Sequence, residues 1–267
     1  MKLIHVFSIF ATVESFFDGQ FKYLTDQGYE VVVVSSYAQN AEAVCKRNGV
    51  RFVPVNIPRS VSPMAIVKAV RKLCLLIREE KVDAVFGHTP VGALCAMIAA
   101  RVCGVKSRVY YRHGVIYTTM QGLKRTIFKA EERFVASLAT SVVNVSYSLS
   151  KLAVIDRLNC VSKQNVIGHG TCGGIDAYDV FNPQWIDNEK FMRLKANLGI
   201  GKPDIVFGFC GRICNDKGIP ELVNAFNMFQ KKHIDLTILQ ILFLLRVFQY
   251  IIFQMNVTFY HKLPGMQ

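Results

Sequence analysis

Apolar positions recur along this chain in two alternating rhythms. Short continuous apolar runs, KLIHVF (2–7), EVVVVSS (30–36), RFVPV (51–55), DAVFG (83–87), SRVYYRH (107–113) and SVVNVS (141–146), predict strands. A continuous β-branched run such as the second is typical of a strand buried on both faces. Between the runs stand stretches with helical spacing: SFFDGQFKYLTDQG (15–28), PMAIVKAVRKLCLLIREE (63–80), PVGALCAMIAARVCG (90–104) and GLKRTIFKAEERFVASLA (122–139). Strand–helix alternation argues for an α/β fold with a parallel sheet, because parallel strands need crossover connections. In such sheets ligands sit at the carboxyl ends of the strands.

A second unit is expected from about residue 182. The stretch 182–204 predicts a linker and a connecting helix, IVFGFCGR (205–212) a new buried strand, and GIPELVNAFNMF (218–229) a new helix. The expected organisation is a complete Rossmann-like domain over 1–181, the start of a second Rossmann-like domain over 182–235, and an apolar tail over 236–267 with no assigned element. The first is domain-sized; the second falls short of a full domain. Within the tail, 236–253 has about the length of a membrane span, with Arg246 near its middle opposing insertion. The expectation is a buried or aggregating segment.

Composition adds a partner class. Half of the 267 residues are hydrophobic, so a substantial core is available, and the formal charge is +13. That charge points to an anion: nucleic acid, a phosphorylated substrate or an anionic membrane surface, against the alternative of a generally basic surface. No aromatic-rich RNA-binding motif or finger spacing supports nucleic acid. Eight scattered cysteines without a CxxC predict free thiols in a reducing cytosol. His5 interrupts the apolar N-terminal run, which favours a strand there over a signal peptide. Segment 101–133 carries eight Lys and Arg against two Glu. Lys124, Arg125, Lys129 and Arg133 fall near one helical face, which fits contact with anionic lipid or a solvated face.

Candidate chemistry gathers at the strand ends. In FGFCGRICNDKGIPELVNAF (207–226), Gly211 permits a sharp turn and a helix starts just past Gly218. Free N–H groups at a helix start favour an anion, Arg212 offers a planar fork, and Lys217 a point charge. The spacing matches neither GxxxxGK[ST] nor GxGxxG. It fits a diphosphate grip or a solvated loop with two surface cations. His113 ends the YYRH strand, and His88 stands between a strand end and a helix start, where it would touch a ligand or act as a cap. Thr12, Glu14 and Ser15 lie in the expected loop after the first strand.

GRICNDKGIPELVNAF resembles the G-R-x-x-x-x-K-G-x-x-x-L-x-x-A-F motif of family 4 glycosyltransferases of the GT-B fold. The opening 36 residues, FGHTPVGALCAMIAARVCGV, RVYYRHG and HGTCGGIDAYDVFNP are similar to capsular and surface polysaccharide members, in family order up to about residue 230. The resemblance implies two Rossmann-like domains facing a cleft. The first would bind a saccharide acceptor, often lipid-linked, and the second a nucleotide-sugar donor. Transfer would proceed with retention, without a metal or other cofactor. It implies that Arg212, Lys217 and Gly211 hold the donor diphosphate, that His113 contacts the donor sugar, and that Thr12, Glu14, Ser15 and His88 line the acceptor side. Relatives often carry paired glycines after the first strand; this chain does not, which points to a different acceptor. The family's later E-x7-E element has no counterpart after residue 230, so the expectation is a chain incomplete at its C-terminus. The rival readings are another GT-B enzyme, such as a nucleotide-sugar epimerase, and an inactive remnant that binds acceptor or membrane only. The expected location is the cytoplasm, with peripheral contact at the inner face of the membrane.

Overall fold

The computed structural model describes residues 1–59, 62–174, 176–179, 181–201, 205–210, 217–232 and 239–244. The chain divides into two units, Met1–Ile175 and Asp176–Gln267.

In the first unit, strands β1 (Lys2–Val6), β2 (Glu30–Ser35), β3 (Arg51–Pro54), β4 (Ala84–Gly87), β5 (Ser107–Arg112), β6 (Ser141–Asn144) and the two-residue β7 (Gln164–Asn165) form one sheet. Its order is β3-β2-β1-β4-β5-β6-β7, and every neighbouring pair is parallel. The order reverses direction between β1 and β4, which makes that gap the topological switch point of a doubly wound sheet. The crossovers carry α1 (Ala11–Phe16), α2 (Gln20–Asp26), α3 (Ala41–Arg47), α4 (Pro63–Glu80), α5 (Pro90–Val102), α6 (Gly122–Leu138) and α7 (Tyr147–Ile155).

Alternation along the strands sends side chains to opposite faces, so one sheet feeds two cores. Ile4, Val6, Val32, Val34 and Val85 pack with α4 and α5 residues such as Leu73, Ala96 and Met97. Leu3, Phe7, Val31 and Val33 pack with Val13, Phe17, Phe21, Val44 and Cys45 on the other side. The long helices fall where the apolar spacing put them, α4 with the same bounds. The single helix expected over 15–28 is two helices, α1 and α2. Gly19, at φ 87, lies between them in a conformation that ends one helix and redirects the chain into the next.

In the second unit, α8 (Asn188–Asn197) is the connecting helix, capped by Asp187, whose carboxylate accepts from the Glu189 and Lys190 backbone N–H groups. Strand β8 (Ile205–Cys210), helix α9 (Ile219–Lys232) and strand β9 (Leu239–Leu244) then form a parallel βαβ unit. Phe226 of α9 is buried against Phe209, Ile219 and Leu222. No element was expected beyond residue 235, so β9 is a difference from the sequence reading. LQILFL is a short apolar run whose period alone does not separate strand from helix. Of the segment weighed as a membrane span, only 239–244 are described, and they are this strand. No helix among the described residues is long and apolar enough to cross a membrane.

Candidate functional site

Three histidines meet at the switch point. His5 lies on β1, His88 follows β4 directly, and His113 follows β5 directly, on three adjacent strands. His5 Nδ1 lies 3.0 Å from His88 Nε2, and His88 Nδ1 lies 3.2 Å from His113 Nε2. His5 and His88 are buried, whereas His113 keeps partial exposure. The local sequence dictates this placement. Leu3 and His5 of β1 and Phe7 just past its end share the face covered by α1 and α2, so His5 points under Phe17 and Phe21.

Aromatic rings enclose the histidines. Phe86 stacks on His5 at 4.3 Å, Phe7 on His88 at 4.2 Å, and Tyr111 on His113 at 5.1 Å. Phe17 presents an edge to all three. Burial without a counter-charge holds the rings neutral: it pushes the His5 pKa down to about 3 and that of His113 to about 4. His88 is held well below the usual range by burial first and then by the neighbouring histidines. The site is therefore an uncharged hydrogen-bonding centre at neutral pH.

The surroundings fix the strand ends. Thr89 Oγ1 accepts from the Ser8 backbone N–H at 3.0 Å and lies 2.8 Å from Ser8 Oγ, joining the ends of β1 and β4. Gly92 lets α5 approach: a Cβ there would lie 2.6 Å from Thr89 Oγ1 and 2.9 Å from the Ser8 nitrogen. Beside His113, Arg112 is fully buried. Its Nε donates to Glu132 Oε2 at 3.1 Å, and its Nη1 to Asn144 at 3.1 Å and Asn159 at 3.2 Å. Tyr110 Oη donates to the same Glu132 carboxylate at 3.0 Å. Past His113, Tyr117 is buried and its hydroxyl donates to Asp156 at 2.7 Å, which holds the loop against α7. The segment 169–174 returns to the same end of the sheet, where Gln20 Nε2 donates to the Cys172 carbonyl.

The other residues singled out from sequence lie elsewhere. Thr12, Glu14 and Ser15 are on α1, not in a loop: apolar Val13 and Phe17 anchor a helix directly after β1. Thr12 and Glu14 are half-buried, Ser15 is exposed, and Glu14 accepts from Asn40. His88 does not cap α5 and, at 0% exposure, does not reach solvent; both its ring nitrogens are committed to the other histidines. Lys217 is exposed in the turn that enters α9, while Gly211 and Arg212 lie outside the described residues. The basic face of α6 divides. Lys129 pairs with Asp156 at 2.5 Å, and Arg133 donates to the Asp156 and Arg157 carbonyls, so both tie α6 to α7. Lys124 and Arg125 are exposed beside Leu123 and Ile127, which are 75% and 56% exposed. Sequence reasoning missed His5 and the Arg112–Glu132 pair. The available signal for His5 was a polar residue inside a short, otherwise apolar strand run, which demands a partner once the strand is buried.

A doubly wound parallel sheet with helical crossovers defines a Rossmann-type domain, and its switch point is where such sheets place their ligands. The chain belongs to the glycosyl transferase 4-like family, whose model matches residues 5–146, a span that contains all three histidines. It is 27% identical over 240 residues to the Staphylococcus aureus capsular polysaccharide biosynthesis glycosyltransferase CapM, covering 90% of this chain and 60% of CapM. The chain thus spans about three fifths of that relative's length. Among solved structures it resembles a glycosyltransferase from Rickettsia africae (TM-score 0.64, 17% identity, 91% of this chain and 68% of that one). It also resembles Anabaena HepE in complex with UDP-glucose (TM-score 0.65, 15% identity, 92% and 60%). At these identities the structural likeness establishes the fold, which is GT-B-like.

Proposed function

We propose that this chain carries out retaining glycosyl transfer from a nucleotide-sugar donor to a saccharide acceptor, lipid-linked, in surface polysaccharide assembly. The observation that carries the reading is His113. It stands at the carboxyl end of β5, partly exposed as a residue, with a buried Nδ1 that has no partner among the described residues. In this reading His113 contacts the donor sugar. Lys217, with Arg212 and Gly211, grips the donor diphosphate, where fixed cations stabilise the charge that builds as the sugar–diphosphate bond breaks. The acceptor hydroxyl bonds to the anomeric carbon, and its proton leaves with the diphosphate. Thr12, Glu14 and Ser15 on α1 serve the acceptor side. Family membership, the function in CapM's name and the UDP-glucose bound to HepE support the assignment. The protein works in the cytoplasm, and the exposed Leu123, Lys124, Arg125 and Ile127 favour peripheral contact with an anionic membrane.

The test is incubation of the purified protein with radiolabelled nucleotide sugars and a lipid extract containing acceptor. Release of nucleoside diphosphate with label transferred to acceptor or water supports the reading. Intact donor across the panel overturns it, and epimerised donor would give the site to the epimerase reaction instead.

A further inference from the structure

The large apolar side chains of α1 and its C-terminal cap meet two fates. Val13 and Phe17 are buried in the core beneath the helix, whereas Phe16 is 45% exposed. A single exposed apolar ring on a protein surface ordinarily carries no meaning. Phe16 differs in where it stands and in how it is held. Its ring centre lies 6.1 Å from that of His113, with the two planes 24° apart. It therefore borders the strand ends where doubly wound sheets take their ligands.

The backbone under the ring is fixed from two sides. Phe17, the next residue, packs against Phe7 at 5.1 Å, Phe21 at 5.4 Å and His88 at 4.7 Å. The 169–174 segment runs against the same corner. A Cβ on Gly173 would lie 2.8 Å from the Phe16 carbonyl oxygen, and Gln20 donates to the Cys172 carbonyl. A ring on so fixed a backbone loses little freedom when a ligand settles on it. Residues four apart share a helical face, which puts the half-buried Thr12 one turn before the ring. Glu14 is engaged elsewhere, accepting from Asn40. Thr12 and Phe16 together offer one hydroxyl and one aromatic ring, and neither carries charge.

A pyranose ring fits this pair. The face of an aromatic ring is the negative end of its quadrupole. The C–H bonds of a sugar are weakly positive, and where the hydroxyls are equatorial they stand together on the two faces of the ring. Stacking covers both apolar surfaces and leaves the hydroxyls at the rim, where a side chain such as Thr12 can meet one. We propose that Phe16 determines acceptor specificity: it stacks on the C–H face of a pyranose ring of the acceptor, and Thr12 hydrogen-bonds a hydroxyl at that ring's edge. The platform stands on the placement of α1; the acceptor as its occupant rests on the function proposed above. Sugars with equatorial hydroxyls are favoured over those whose axial hydroxyl crowds the stacked face.

The experiment pairs saturation-transfer difference NMR on the full chain, with methyl β-glucopyranoside as probe, with the transfer assay described above. In wild type, saturation is expected on the protons of one sugar face, H1, H3 and H5 or H2 and H4, above those of the other. Phe16→Leu keeps apolar bulk and removes the aromatic face. It is expected to lose that contrast and to raise the acceptor KM about threefold to tenfold. Its UDP affinity should stay within about twofold of wild type. Phe16→Trp should keep both the contrast and the KM, and Thr12→Val should raise the same KM. A uniform or absent saturation pattern in wild type overturns the proposal, as does Phe16→Leu with wild-type contrast and KM. A loss of UDP affinity in Phe16→Leu would give the ring to the nucleotide base and overturn it too. The wild-type spectrum decides even if a variant does not fold. One-face saturation in a wild type that turns over no nucleotide sugar would leave the saccharide platform standing and remove the acceptor from it.

Discussion

Burying three neutral histidines makes the first unit sensitive to mild acid, and the size of the effect follows from their environments. An unfolded histidine titrates near 6.5, whereas His5 and His113 in the folded chain titrate near 3 and 4. As pH falls below 6.5 the unfolded state takes up protons that the folded state refuses. Stability from these groups is thus complete above 6.5 and is lost as pH falls toward the folded values. The slope is about 1.4 kcal/mol per pH unit for each histidine. At pH 5 the loss is about 2 kcal/mol each, or about 4 kcal/mol for His5 and His113 together. His88 adds loss of the same sign. Against a typical total of about 5–15 kcal/mol, this is a large fraction. Glu131 and Glu132, whose carboxyls burial raises, act with the opposite sign, so the comparison that decides is between proteins. Urea unfolding followed by circular dichroism at pH 7.5, 6.5, 5.5 and 5.0 supplies stability against pH, for wild type and for His5→Phe. The wild type should lose stability through this window, and His5→Phe should flatten the slope by about 1.4 kcal/mol per unit. Equal slopes in the two proteins would refute the reasoning.

Glu132→Ala leaves the Arg112 guanidinium buried beside His113 without its counter-charge, and should cost about 3–5 kcal/mol in the same urea assay; a loss under 1 kcal/mol would mean the pair is solvated. Lys217→Ala should weaken UDP binding by about 1.5–3 kcal/mol in calorimetry, with unchanged circular dichroism; unchanged affinity removes Lys217 from the diphosphate grip. In flotation with vesicles containing anionic lipid, the full chain should float, and a Lys124→Glu/Arg125→Glu double variant should not. Equal flotation of the two, or none by the wild type, gives the exposed end of α6 to solvent.

Legibility in the sequence followed the physics of each element. β2 and α4 were readable because a β-branched run and a long amphipathic repeat have one stable use each. The break at Gly19 was not, since Phe16, Phe17, Phe21 and Leu24 keep helical spacing across it. α3 was not singled out: AEAVCKR is one short stretch that buries only Ala41, Val44 and Cys45. At the site, His113 and His88 were visible as polar residues at strand ends, where doubly wound sheets bind ligands. Their contact was not visible, because it depends on which strands are neighbours. β4 and β5 are adjacent in both sequence and sheet, but β1 joins them across about 80 residues of chain. His5 was noticed only as an interruption of an apolar run, when its buried position already required a polar partner. The basic stripe of α6 misled for the same reason. Spacing placed four cations on one face, and it took the position of α7 to show that Lys129 and Arg133 serve Asp156 and a helix end.

The claim that His113 contacts the transferring sugar is tested most directly by measuring kcat and the dissociation constant for UDP side by side in wild type and His113→Ala. A contact made to the sugar in the transition state predicts that kcat falls by about tenfold to a hundredfold or more, while UDP affinity stays within about twofold. Turnover preserved within a few-fold, or a loss of UDP binding that matches the loss of rate, would contradict it.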